Sequence, residues 1–286
     1  MPPQRFALPR HPTRAFAHSP ARCVFCSTRF NSSLSRLEFV LSCKHEFLIC
    51  SPPCFLSKSK ARIRFRQKDK MHVIVLASQK GGAGKTTLAA HIAVAAEAAG
   101  DGPAVLIDAD PQGSLSAWWN VREAQVPALA PTTIAELPAK LAALAEAGYA
   151  VAVVDTPPAI TEAISAVVRS ATLVLIPTRP SPHDLRAVGS TVELVQAAGK
   201  PFVFAVTQAK ANARLTVQAM AALSEHGIVA PAIVHDRVDY AGSMIDGRTV
   251  QETDQKGKSA AEMAELWRFI KAQIAKSTKA RKEARR

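Results

Sequence analysis

The run Lys80-Gly81-Gly82-Ala83-Gly84-Lys85-Thr86-Thr87 gathers glycines, two lysines and two hydroxyl side chains in one short stretch. Glycines let a loop turn its backbone N–H groups toward phosphate oxygens, and a helix opening directly behind them adds a favourable field for an anion. Lys85 is then placed to reach the β- and γ-phosphates of a nucleotide, and Thr86 to set its hydroxyl on Mg²⁺. The general spacing G-x-x-x-x-G-K-[ST] is not met at its first glycine, where Gln79 stands. What stands instead is the narrower K-G-G-x-G-K-T. Two acidic runs accompany it. Asp108-Ala109-Asp110-Pro111-Gln112-Gly113-Ser114 offers two carboxylates able to hold water, and Val151-Ala152-Val153-Val154-Asp155-Thr156-Pro157-Pro158 is an apolar stretch that delivers one acid at its end. Asp155 in that place reads as a Mg²⁺ holder acting through a water.

Such side chains need a scaffold, and from Met71 onward the pattern supplies one. Short β-branched apolar runs at 72–78, 104–108, 150–155, 173–177, 202–207 and, more weakly, 228–234 alternate with helical patterns at 86–99, 134–147, 161–170, 184–198 and 215–226. A last helix is expected at 260–276. Continuous apolar strands separated by helices predict an α/β fold, a parallel twisted sheet with helices on both faces. Each acidic run then falls at the carboxyl end of a strand, where ligands sit in open α/β sheets.

The loop resembles the deviant phosphate loop of the ParA/MinD family of P-loop ATPases, which carries an extra lysine at its start, and Lys80 occupies that place. The second run matches the D-x-D-P-Q-G of ParA-like proteins. Ile176-Pro177-Thr178-Arg179-Pro180-Ser181 resembles the family's I-P-x-x-P, and Arg237-Val238 a recurrent R-V. The resemblance spans residues 71–275 and is nearest to small plasmid-partition ParA proteins. It implies an ATP-sandwich homodimer in which Lys80 reaches the partner's nucleotide, with Asp110 positioning the attacking water and Asp108 supporting the magnesium shell. ATP and Mg²⁺ are the implied cofactors. Lys80, Lys85 and Asp110 are the expected catalytic residues, residues 81–87 the phosphate cradle, and Thr86, Asp108 and Asp155 the metal-associated set. The guanine-reading Asn-Lys-x-Asp is absent, since Thr207-Gln208-Ala209-Lys210 stands after the fifth strand, which favours adenine. Trp118 and Trp119 are expected to pack in the core or an interface.

Residues 1–70 differ in kind from the rest. They hold 14 Lys/Arg against 3 Asp/Glu, whereas residues 71–286 hold 22 against 20, so most of the net +13 lies in the first quarter. All five cysteines lie there too. Cys23, Cys26, Cys43, His45, Cys50 and Cys54 could furnish a zinc site, but their spacing is irregular. The segment reads as a disordered extension or as sequence upstream of the true start, with the ATPase domain at 71–286. A reducing, cytoplasmic, nucleoid-associated setting is expected. No stretch offers the ~18–20 uninterrupted apolar residues of a spanning helix.

The function expected first is DNA segregation: the ATP dimer binds DNA non-specifically, and a ParB-like or ribbon-helix-helix centromere-binding partner stimulates the slow hydrolysis that releases it. The basic residues Lys271, Lys276, Lys279, Arg281, Lys282, Arg285 and Arg286 motivate the DNA contact. The alternatives are a MinD-like membrane-associated positioning ATPase and a cargo-positioning or conjugative-transfer accessory. For the membrane alternative, Met263, Leu266, Trp267, Ile270 and Ile274 form an apolar stripe that could lie on anionic lipid. The same stripe could instead pack on the sheet.

Overall fold

The computed structural model describes residues 70–283, apart from Ile160 and Asn212 and the side chains of Arg281 and Lys282. The possible zinc ligands and most of the basic extension lie outside the described residues, as do Arg285 and Arg286.

Seven parallel strands form one sheet in the order β3-β2-β4-β1-β5-β6-β7. They are β1 (His72–Leu76), β2 (Ala104–Asp108), β3 (Ala128–Leu129), β4 (Val151–Asp155), β5 (Leu173–Thr178), β6 (Phe202–Val206) and β7 (Ile228–Val229). Alternate residues of one strand enter two separate cores, as period-2 side-chain geometry requires. Ile74, Leu76, Leu106, Val153 and Leu175 join one core, and Val73, Val75, Ile107, Val154 and Ile176 the other. Both faces are therefore covered, which is why these strands read as unbroken apolar runs.

On the first face lies α1 (Lys85–Ala98), with α2 (Ser114–Asn120), α7 (Val238–Met244), α8 (Val250–Thr253) and α9 (Lys258–Glu283). The α1 helix is buried on nearly every side from Leu88 to Ala96. Its alanines let it press close between the sheet and α9. The second face carries α3 (Leu137–Glu146), α4 (Glu162–Arg169), α5 (Pro182–Ala197) and α6 (Arg214–Ser224). Thr161 caps α4 through its side chain, accepting from Ile164 N–H, and Ser181 caps α5 by accepting from Asp184 N–H.

The expected elements recur with informative shifts. The strand expected at 228–234 is regular only over Ile228–Val229. Ala230 N–H still donates to the Phe204 carbonyl, but the next donor to β6 is Val234, on the Val206 carbonyl, so residues 231–233 break the ladder's spacing. The helix expected from residue 134 begins at Leu137, with Pro138 in its first turn. The last helix runs on to Glu283. Two-residue β3 offered no periodicity to read. The apolar stripe of α9 is not a free face: Met263, Leu266, Trp267, Ile270 and Ile274 are all buried in the first core. The membrane alternative loses the surface it rested on. Among the described residues no helix is long and apolar enough to cross a membrane.

Candidate functional site

Strand order brings the three motifs together. Central β1 lies between β4 and β5, and β4 pairs in turn with β2. In register, Leu76 faces Asp155 and Asp108 faces Asp155. The loop after β1, the acid ending β4 and the Asp108–Asp110 turn after β2 therefore meet at one carboxyl edge. That edge is where open α/β sheets bind ligands.

The loop between β1 and α1 depends on glycine at two places. Gly82 and Gly84 have φ of +72° and +86°, in the left-handed region that L side chains avoid. Gly84 is the N-cap of α1 and lends no side chain to its first N–H groups. Those donors are left for a ligand. Thr207 and Gln208 brace the loop from the end of β6: Thr207 Oγ1 donates to the Ala83 carbonyl at 3.0 Å, and Gln208 Nε2 to the Gly82 carbonyl at 2.7 Å. Gln208 holds φ +50° to do so.

Lys85 is buried, and its Nζ turns back to the Ser78 carbonyl at 3.4 Å. Burial pulls its pKa down, while Asp155 and Asp110 oppose the shift. Thr86 Oγ1 donates to Asp155 Oδ2 at 2.6 Å. Asp155 is 1% exposed, and its Oδ1 has no hydrogen-bond partner among the described residues. Burial raises its pKa to about 6, against the lowering effect of the Thr86 hydroxyl; Asp108 adds to the rise. A hydroxyl and a half-satisfied buried carboxylate are hard oxygen donors of the sort Mg²⁺ takes, with phosphate and water completing its shell. The residues present fit that ion. Among the described residues no three His, Cys, Asp or Glu side chains form a metal cage by themselves.

Asp108 is engaged by protein. Its Oδ1 accepts from Asp110 N–H at 3.2 Å, and its Oδ2 accepts from Ser116 N–H and Ser116 Oγ, each at 2.8 Å. In this arrangement it ties the turn to the start of α2. Asp110 Oδ1 accepts from Gln112 N–H at 3.0 Å, and its charge is close enough to act on Lys85. Lys80 is exposed at the rim. The tryptophans are packed as expected: Trp118 is buried and donates to the Arg248 carbonyl, and Trp119 donates to the Pro127 carbonyl at 2.8 Å.

Beside the loop opens a cleft of about 530 Å³, bordered by Lys80, Arg179, Gln208, Lys210, Leu215 and Asp236. Arg179 is tethered there: its Nε donates to Asp184 Oδ1 at 2.9 Å, and Asp184 is itself buried. Sequence reasoning missed Gln208, Arg179 and Asp184 as a group. The I-P-x-x-P match and the Thr207–Lys210 run pointed at their neighbourhood, but Gln208 meets Gly82 from 126 residues away, and the short-range Arg179–Asp184 pair carries no motif that marks it.

A doubly covered parallel sheet with this loop at its centre defines a P-loop nucleotide-binding protein. Residues 74–250 match the CobQ/CobB/MinD/ParA nucleotide binding domain, and the chain belongs to that family. It is 31% identical over 205 residues to the maintenance of carboxysome distribution protein A of Halothiobacillus neapolitanus, covering 68% of this chain and 93% of that one. The protein of the same description from Gloeobacter kilaueensis is 34% identical over 208 residues, with 71% and 93% covered. Protein ParA of Rhizobium radiobacter is 28% identical over 223 residues, with 73% and 99% covered. Among solved structures, the ATP complex of Cyanothece McdA superposes with TM-score 0.59 at 18% identity, covering 73% of this chain and 96% of that one. Pyrococcus horikoshii MinD with Mg-ADP superposes with TM-score 0.60 at 14% identity, covering 72% and 98%. These two likenesses are of fold.

Proposed function

We propose that the chain is a Mg²⁺-dependent ATPase that positions an intracellular cargo by cycling between an ATP-bound homodimer and an ADP-bound monomer. The observation that carries the nucleotide part is the junction of Lys85, Thr86 and Asp155, with a buried half-satisfied carboxylate under a glycine loop whose helix leaves its N–H donors open. Lys85 would hold the β- and γ-phosphates, Thr86 and Asp155 the Mg²⁺, and Asp110 the attacking water. Mg²⁺ would neutralise the charge that develops on the transferred phosphoryl oxygens. Asp108 would support that shell from behind, and Lys80 would reach the partner's nucleotide. A slow hydrolysis of this kind serves as a timer.

Cargo positioning is preferred to plasmid partition because two relatives above 30% identity, matched over most of their length, are carboxysome-distribution proteins. Partition is the second reading, supported by the ParA relative. Both share non-specific DNA as the track, and the exposed Lys276 and Lys279 near the end of α9 are candidates to touch it. Lys271, by contrast, is paired with Asp101 at 2.5 Å.

The test is sedimentation of the full chain with Mg-ATP and with Mg-ADP, followed by anisotropy titrations on unrelated duplexes. The ATP form should be a dimer that binds DNA, and the ADP form a monomer that binds far more weakly. A monomeric ATP form would contradict the reading. ATP-dependent pelleting with anionic liposomes in place of DNA would restore the membrane alternative. Loss of a reporter plasmid on deletion of the gene would favour partition over cargo.

A further inference from the structure

Beyond β7 the chain is drawn up alongside β6. Ala230 N–H donates to the Phe204 carbonyl at 2.8 Å and Val234 N–H to the Val206 carbonyl at 3.0 Å, and Ala209 bridges in parallel to His235. Asp236 N–H then donates to the Ala209 carbonyl at 2.9 Å. This delivers Asp236 to the cleft wall with Gln208 and Leu215. Gln208 is also the residue that grips Gly82. Gln208 thus marks the border between the wall and the phosphate loop.

What holds this wall from behind is one carboxylate, Glu262 near the start of α9. It accepts from His235 N–H at 3.2 Å, His235 Nδ1 at 2.8 Å, Arg237 Nε at 3.1 Å, Arg237 Nη2 at 2.8 Å and the Tyr240 hydroxyl at 2.9 Å. His235 and Arg237 flank Asp236, so both neighbours of the cleft residue are fixed to the same group. The Glu262 side chain is only 13% exposed. Burial raises its pKa, but hydrogen bonds from Arg237, Tyr240 and His235 outweigh that and hold it below the ordinary range. It is charged at neutral pH. Charge-assisted bonds of this kind are about twice as strong as neutral ones.

We infer that Glu262 is a positioning residue for the nucleoside half of the cleft, fixing the 235–237 segment whose Asp236 forms the wall against which base and ribose lie, while the phosphate half is set by the glycine loop. This rests on the nucleotide reading of the site. A residue with that role acts on ATP affinity and leaves both the phosphate cradle and the chemical step alone. Glu262→Gln preserves shape but gives up the charge. It should weaken Mg-ATP binding about tenfold, a size set by removing a charged partner from a hydrogen-bonded group. Turnover at saturating ATP should stay within about twofold. Inorganic tripolyphosphate, which has neither base nor ribose, should bind the variant as it binds the parent.

The experiment is calorimetric titration of Mg-ATP and Mg-tripolyphosphate into the full chain and its variants, with thermal melting to confirm the fold. Tyr240→Phe removes one donor and should show a smaller loss of the same selectivity, which keeps the test alive if Glu262→Gln does not fold. Equal weakening of both ligands, or of neither, overturns the inference. A parent chain that binds neither ligand overturns the nucleotide reading itself, and does so before any variant is made.

Discussion

A carboxylate that is 1% exposed with one oxygen unpartnered destabilises the protein that carries it, and among the described residues Asp155 is such a group. Asp155→Asn should therefore raise the melting temperature of the nucleotide-free protein at pH 7.5 while abolishing the Mg²⁺-dependent part of ATP binding. Scanning calorimetry with and without Mg-ATP reads both effects, and a variant that melts lower in the absence of nucleotide would contradict the burial argument. The two lysines of the loop should fail differently. Lys85 is buried at the root of the phosphate cradle, whereas Lys80 is exposed at its rim. Lys85→Ala should lose ATP affinity by a hundredfold or so, since a charge-assisted phosphate contact is worth about 1.5–3 kcal/mol. Lys80→Ala should keep monomer affinity and lose dimerisation and turnover; equal affinity losses in both variants would contradict the division. These residues were legible in sequence because loop and acids each form a local run. Gln208 and Glu262 were not legible, since each acts through a contact made only after separate strands and helices meet.

Helices α1 and α8 are joined through a histidine whose protonation state is set by its neighbours. Val250 N–H donates to His91 Nε2 at 3.3 Å, so that nitrogen must be bare, while Nδ1 lies 2.7 Å from the Thr87 carbonyl. Burial lowers the His91 pKa from 6.5 to about 4. Between these values the unfolded chain binds a proton that the folded chain refuses. Stability should fall as pH drops from about 6.5 toward 4, by on the order of 3 kcal/mol from this group. Urea unfolding across that range should show the slope in the parent and a flatter one in His91→Asn; unchanged slopes would remove His91 as the cause. The α9 stripe makes a separate claim. Leu266 is fully buried, so Leu266→Ala should cost about 2–5 kcal/mol, as core truncations do. A stripe available to lipid would cost little. Sequence periodicity gave the stripe its residues but left its partner open, because an amphipathic face looks the same whether it meets a sheet or a bilayer. Strand order was likewise out of reach, and β3, with two residues, left no period to find.

At the scale of the whole molecule, the family match, the sheet and the site all lie within residues 70–283. A chain beginning at Met71 should fold and hydrolyse ATP as the full chain does; loss of either would assign the basic segment a part in the domain. The change in composition near Met71 is what suggests that boundary, whereas the alternating strands and helices made the fold class legible. Whether the chain serves positioning or partition was not legible, because the sequence runs that carry chemistry all lie at the nucleotide site and none marks a surface that meets a partner. Every role proposed for the chain depends on the nucleotide machinery. Its most direct test is phosphate release by the full chain with ATP, with and without Mg²⁺, beside Lys85→Ala. Slow turnover that requires Mg²⁺ and disappears in the variant is the expected result. Turnover that persists in Lys85→Ala or ignores Mg²⁺, or none at all from the parent chain even with DNA present, would contradict it.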